Sequence, residues 1–232
     1  MLMAICNANY EFTLVDIGDA GRNSDGGIFS YSKIGEAVKN NSLNFPCEKS
    51  LPGFQEECPY VMVADEAFEL QRHIMKPYPR EVLRIAERVF NYRLSRARRT
   101  IENAFGILAA RFRIFRRAIH ARVEMVVRIT QAAVVLHNYL MREGACSHGE
   151  SYFRMELIDK NTKHGTQPGR WREITQGDKG LQSINRDGSN NYSRNAKKVR
   201  EAFKNYFVSN EGQVIWQWES VHATENCFDK NN

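Results

Sequence analysis

Short apolar runs early in this chain precede one long helical region. Residues 2–6 and 10–17 are apolar runs divided by Asn7, Ala8 and Asn9, which predicts a β-hairpin closed by a compact turn. A turn cluster spans residues 18–27, and residues 28–39 read as a helix. Residues 40–59 carry Pro46, Pro52, Gly53 and Pro59 and read as a loop. Residues 60–64 form a continuous apolar run, the pattern of a buried strand, ending in Asp65 and Glu66. Residues 68–80 are irregular, with Pro77 and Pro79, and helical pattern resumes over 81–90.

The helical pattern then continues through residues 91–117. Leu94, Ala97, Ile101, Ala104, Phe105, Leu108, Phe112 and Phe115 recur at spacings of three and four, so they share one stripe. Around that stripe stand eight arginines, no lysine and a single acid, Glu102. Glu102 lies about 100° round from Ile101, at the stripe's edge. Its simplest role is an i−4 pair with Arg98, a contribution of a few tenths of a kcal/mol. Gly106, one turn on, costs roughly 1 kcal/mol in a helix and clears space for a close approach by backbone or ligand. A further amphipathic helix covers 124–142, with Val126, Ile129, Ala133, Leu136 and Leu140 on its apolar face.

The pattern fades after that. Residues 144–194 are polar and rich in Gly, Ser and Asn, and read as a disordered connector. A short helix is expected over 195–207, inside a C-terminal tail of residues 195–232 that also holds Trp216 and Trp218. The organisation expected is therefore a domain over 1–143, a connector over 144–194 and that tail.

Charge sharpens this picture. Residues 66–128 hold 15 Lys and Arg against 6 Asp and Glu, a net of +9, while the whole 232-residue chain is +6. The remainder is thus net acidic, and the arginine segment has the footprint of a phosphate-backbone binder. The plainer alternative is a solvated basic face. Five scattered cysteines form no CxxC pair or Cys/His cluster, so neither a disulfide framework nor a zinc site is indicated. No signal peptide or membrane-length apolar run is visible, and a soluble protein of a reducing compartment is expected.

Two acids sit where metal chemistry uses them. Asp65 ends a predicted buried strand, and Glu102 is on the helix that follows. Together they could hold Mg2+ or Mn2+, which favour hard oxygen ligands. Two ions about 3.5–4 Å apart cleave phosphodiesters, but two carboxylates are too few to hold both. Asp25 is the further candidate; its ordinary role would be a cap or turn. Likewise, Asp65 could be only a strand-end turn residue.

The segments VDIGDAGRNSDGGIFSYS, YVMVADEAF, FNYRLSRARRTIENAFGILAARFRIFRR and AAVVLHNYL occur in that order within residues 1–142. Together they resemble the DDE-type endonuclease domain of PIF/Harbinger transposases and the nucleases derived from them. The resemblance implies an α/β, RNase H-like mixed sheet flanked by helices. It also implies divalent-metal DNA strand cleavage in the nucleus. It assigns catalytic roles to Asp65 and Glu102, and a metal-ligand role to Asp25 beside them. Arg98, Arg99, Arg111, Arg113, Arg116 and Arg117 become candidates for DNA backbone phosphates. His137 and Asn138 fall in the family's LHN block, where core hydrogen bonding is at least as good a reading as catalysis.

One departure is large. The family's first catalytic aspartate belongs to an Asp-Gly-x-His type of segment on a first, central strand, and no such segment precedes the hairpin here. The expectation is an N-terminally truncated domain without its first strand and with little or no turnover. DNA is the expected partner, together with a separate DNA-binding protein. The alternative is a non-catalytic DNA- or protein-binding remnant.

Overall fold

A computed structural model describes the backbone of residues 2–18, 25–79, 83–144, 146–147, 150–162, 165–178, 180 and 193–228. Side chains are described for these except 25–26, 146–147, 150–151 and 222–228. The chain is a mixed α/β protein. The hairpin forms as its pattern predicts: β1 (Leu2–Cys6) pairs antiparallel with β2 (Phe12–Ile17), with a register shift between Ile5 and Cys6. The turn is built by Asn7, whose Oδ1 accepts the N–H groups of Asn9 (2.9 Å) and Glu11 (3.1 Å). Tyr10 closes it at a φ of 63°, a left-handed position that a side chain adopts at a cost of roughly 1–2 kcal/mol.

The expected helix over 28–39 is two helices, α1 (Asp25–Tyr31) and α2 (Lys33–Lys39). Ser32 breaks them. Its extended backbone and its Oγ, which accepts from the Gly35 N–H at 2.9 Å, start the second helix as an N-cap. A two-stranded antiparallel pair, β3 (Lys49–Ser50) with β4 (Glu57–Cys58), lies in the proline-bearing loop. The strand expected to be buried over 60–64 is short and none of those residues is buried, Tyr60 and Val63 being exposed: β5 (Met62–Val63) runs parallel to β6 (Ile74–Met75), which the sequence reading leaves irregular. Prolines soon after β6 mask its pattern, while Ile74 and Met75 are buried.

The arginine-rich region is one 27-residue helix, α3 (Ile85–Arg111), followed by a 3-10 turn, Arg113–Arg116. It runs through the centre of the molecule. Leu94, Ala104 and Leu108 of the expected stripe are buried. So are Val89, Phe90, Asn103 and Ile107, because other segments cover the helix's second side. Next comes α4 (Val123–Glu143), which ends at Gly144 in the left-handed conformation (φ 56°) that glycine adopts without strain. Thr130, Ala133, Val134 and His137 form its buried side; Leu136, expected there, is about half exposed.

The segment expected as a disordered connector contributes core. Beyond the short pairs β7 (Cys146–Ser147) with β8 (Glu150–Ser151) and β9 (Lys160–Thr162) with β10 (Gly165–Gln167) comes helix α5 (Arg170–Ile174). Tyr152, Leu157 and Ile158 are buried against Ile107 of α3, with Trp171 and Ile174 beside them. Sparse apolar residues suffice here because α3 supplies a prepared surface. Residues 181–192 lie outside the described residues. The expected terminal helix is α6 (Arg194–Val208), and α7 (Ile215–Phe228) follows; both pack on α3. Among the described residues no helix is long and apolar enough to cross a membrane.

Candidate functional site

Asp65 stands two residues beyond β5, where the chain turns. Its Oδ1 accepts the Ala67 N–H at 3.0 Å, which is the strand-end turn role. Its Oδ2 faces Arg98 Nη2 at 3.8 Å, and both side chains are mostly buried. One carboxylate thus tethers the sheet end to the middle of α3. The pair lies at a cleft of about 640 Å³ lined by β1, by residues 61–65 and by α3.

Glu102 is one turn along α3 from Arg98. Where an i−4 pair was expected, Arg98 is directed to Asp65 and Glu102 to Arg172, whose Nη2 lies 3.4 Å from Glu102 Oε2. Arg172 is itself anchored. Its Nε donates to both oxygens of Asp159 at 3.0 and 3.1 Å, and the Asp159 side chain is fully buried. The Gly169 N–H donates to Asp159 Oδ1 at 2.8 Å. Burial would raise the Asp159 pKa, but the Arg172 and Gly169 hydrogen bonds outweigh it and hold the carboxyl below its ordinary value. The Arg172 guanidinium is thereby a fixed cation beside Glu102. Asp159 and Arg172 escape sequence reasoning because they lie in the polar segment. The one signal is Leu157-Ile158-Asp159, an apolar pair closed by an acid.

Gly106 explains part of this placement. A Cβ there would stand 2.4 Å from the Trp171 ring, so the space it clears is filled by an indole of the same chain. Trp171 Nε1 donates to Asn103 Oδ1 at 3.2 Å, and α5 is thus seated with Arg172 toward Glu102.

Asp25 opens α1, and its side chain lies outside the described residues. The six candidate arginines divide. Arg98 holds Asp65, Arg99 donates to Asn161, and Arg116 Nε donates to Asp178 Oδ2 at 2.6 Å. Arg111, Arg113 and Arg117 are exposed, and Arg122 and Arg128 at the start of α4 are exposed as well. Arg93 and Arg96, two further arginines of the helix, stack on Phe207 and Trp216 at 4.6 and 3.8 Å.

The His137–Asn138 pair is structural. His137 Nε2 donates to the Tyr10 carbonyl at 2.9 Å, so its Nδ1 is the acceptor of the Tyr152 hydroxyl at 2.8 Å. Burial lowers the His137 pKa and favours this neutral form. Asn138 binds both backbone groups of Phe12.

The donor set can be weighed against a metal centre. Among the described residues no three His, Cys, Asp or Glu side chains gather closely enough to hold a metal ion. Asp65 and Glu102 each face a guanidinium within 4 Å. A hard divalent ion takes about six oxygen ligands, so these residues do not by themselves fit a two-ion centre.

The family model described as DDE superfamily endonuclease matches residues 1–138, more than half of the chain, and the chain belongs to that family. No curated protein and no solved structure matches it. Membership points to a nuclease or transposase type of function, with DNA as the substrate class and divalent metals in general use among members.

Proposed function

We propose that the domain derives from a divalent-metal DNA endonuclease of the PIF/Harbinger branch, RNase H-like in ancestry and nuclear in its site of action. In this reading the chain retains DNA binding and has little or no strand cleavage of its own. The observation that carries it is the division of the arginines. Arg98 and Arg172 neutralise the two carboxylates, while Arg111, Arg113 and Arg117 stand exposed at the α3–α4 corner. The first group serves the fold; the second lies at the surface, with Arg111 also over the Tyr152 ring at 5.6 Å, and is the set we assign to phosphates.

The test is an assay of purified chain on labelled duplex with Mg2+ or Mn2+, beside Glu102→Gln and Asp25→Asn. The expected result is duplex binding without nicking above the Glu102→Gln level. Metal-dependent nicking that Glu102→Gln abolishes would show a working centre, with Asp25 its third ligand if Asp25→Asn also abolishes it. Either outcome overturns the binding-only reading.

A further inference from the structure

Three cations gather round one tyrosine at the junction of β6 and α6, away from the carboxylates and from the basic corner. Tyr78 is buried and packs with Phe90 of α3 and with Ala196 and Val199 of α6. Arg200 of α6 lies over its ring, the guanidinium carbon 3.9 Å from the centroid. Lys204, one turn on, has its ammonium 5.8 Å from the same centroid. Lys76, two residues before Tyr78, donates from Nζ to the Glu66 carbonyl at 3.1 Å. Lys76 is 6% exposed and Arg200 7%.

The one acid of α6, Glu201, is already engaged. Its carboxylate holds Lys204, and its Oε1 accepts the Tyr78 hydroxyl at 2.5 Å. Asp65, Glu66 and Glu69 act on Lys76 from the turn after β5. Arg200 is different. Its Nε is shut off from solvent and has no hydrogen-bond acceptor among the described residues. Burial lowers the Lys76 pKa, and of the surrounding charges Arg200 adds most to that. Removing a guanidinium from water costs several times what one aromatic stack returns. The fold therefore keeps here a buried positive charge that its own groups leave unsatisfied.

We infer that Arg200, with Lys76 and Lys204 beside it, forms an oxyanion site that takes a phosphate group. The planar fork of an arginine matches two phosphate oxygens, and the Tyr78 ring holds that fork flat before any ligand arrives. The two ammonium groups add charge without fixing geometry. Burial selects a small ligand: a free phosphate ion or the terminal phosphate of a nucleic-acid strand. A phosphodiester inside a duplex carries a sugar on both sides and is held away from so covered a side chain. The site is also distinct from the basic corner. Phe90, which Tyr78 touches, and Arg111 are 21 positions apart on α3, about 30 Å along the helix.

The experiment titrates inorganic phosphate into the full chain by calorimetry, with ionic strength held constant by chloride. Saturable binding is expected, about tenfold or more weaker in Arg200→Met and intermediate in Arg200→Lys, which keeps the charge but loses the fork. In phosphate-free buffer the urea midpoint of Arg200→Met should equal or exceed that of the parent, because a buried charge without an acceptor is gone. A 5′-phosphorylated oligonucleotide and its 5′-hydroxyl counterpart separate the two sources. Preference for the phosphorylated strand, lost in Arg200→Met, assigns a strand end; equal binding of both strands assigns the free ion; each sustains the site. No saturable phosphate binding by the parent, or binding undiminished in Arg200→Met, would overturn it. So would a midpoint of Arg200→Met below the parent's, which would show Arg200 to be paired within the fold. If Arg200→Met does not fold, Arg200→Lys decides, and phosphate affinity equal to the parent's overturns the inference. Replacing Arg111, Arg113 and Arg117 with Gln should leave phosphate affinity unchanged, so this site and the duplex-binding reading fail separately.

Discussion

Three asparagines do the same work at three places. Asn138 accepts the Phe12 N–H at 2.8 Å and donates to its carbonyl at 2.7 Å. Asn91 does so for Tyr78 at 2.7 and 3.0 Å, and Asn103 for Asp159 at 2.9 and 3.2 Å. Each carboxamide presents a donor and an acceptor as a neighbouring strand would, so a helix can satisfy extended backbone where no ladder exists. Asn103 is the most consequential, because it also receives Trp171 Nε1 and so fixes the segment that carries Arg172. Asn103→Ala would leave a buried N–H and a buried carbonyl unpaired, each worth about 1–3 kcal/mol. A loss of about 2–4 kcal/mol is expected, read as a lower urea midpoint with an unchanged slope. Asn103→Ala should also free Glu102 from Arg172, so any residual metal affinity would rise as the fold weakened.

Helix α3 shows which elements a pattern can reveal. Its first stripe was legible, since Leu94, Ala104 and Leu108 keep helical spacing and face the hairpin and α6 sides. Its second side was not, because it buries Asn103, Gly106 and Ile107, a polar residue and a glycine among them. What covers that side is drawn from 152–174, where apolar residues are too thinly spread to make a periodic signal. The placement of Asp65 at a strand end and Glu102 on the following helix could be read from the chain. The arginines that neutralise them could not, because Arg172 is brought to Glu102 across 70 positions by the seating of α5. Gly106 was the visible clue to this second side, and it sets two effects against each other. Gly106→Ala gains roughly 1 kcal/mol of helix propensity. The added Cβ would stand 2.4 Å from the Trp171 ring, well inside contact distance. Overpacking of a core typically costs 1–3 kcal/mol, and a ring wedged between α3 and α5 has little room to yield. A net destabilisation of about 1–2 kcal/mol is expected, with a shifted tryptophan emission; a more stable Gly106→Ala would show that Trp171 does not fill this space.

At the scale of the molecule, the arginine surplus resolves into three uses. Arg93 and Arg96 stack on the aromatic rings of the α6–α7 region, Arg98, Arg99 and Arg116 hold polar groups of the fold, and Arg111, Arg113 and Arg117 face outward. The outward-facing arginines of this segment therefore sit at one corner, where α3 ends, the 3-10 turn follows and α4 begins. This makes the two sets separable by experiment. Binding to duplex DNA should weaken with salt, the log–log slope falling by about 0.9 for each phosphate neutralised. Replacing Arg111, Arg113 and Arg117 together with Gln should make that slope shallower by about 2–3 while the urea midpoint stays nearly constant, since exposed charges contribute little to stability. Arg98→Gln should do the reverse. It removes the Arg98 guanidinium from beside Asp65, lowers the urea midpoint, and keeps the salt slope of the parent chain. If instead Arg98→Gln flattened the slope and the triple replacement did not, DNA would run along the cleft side of α3, and the basic corner would be no more than a solvated face.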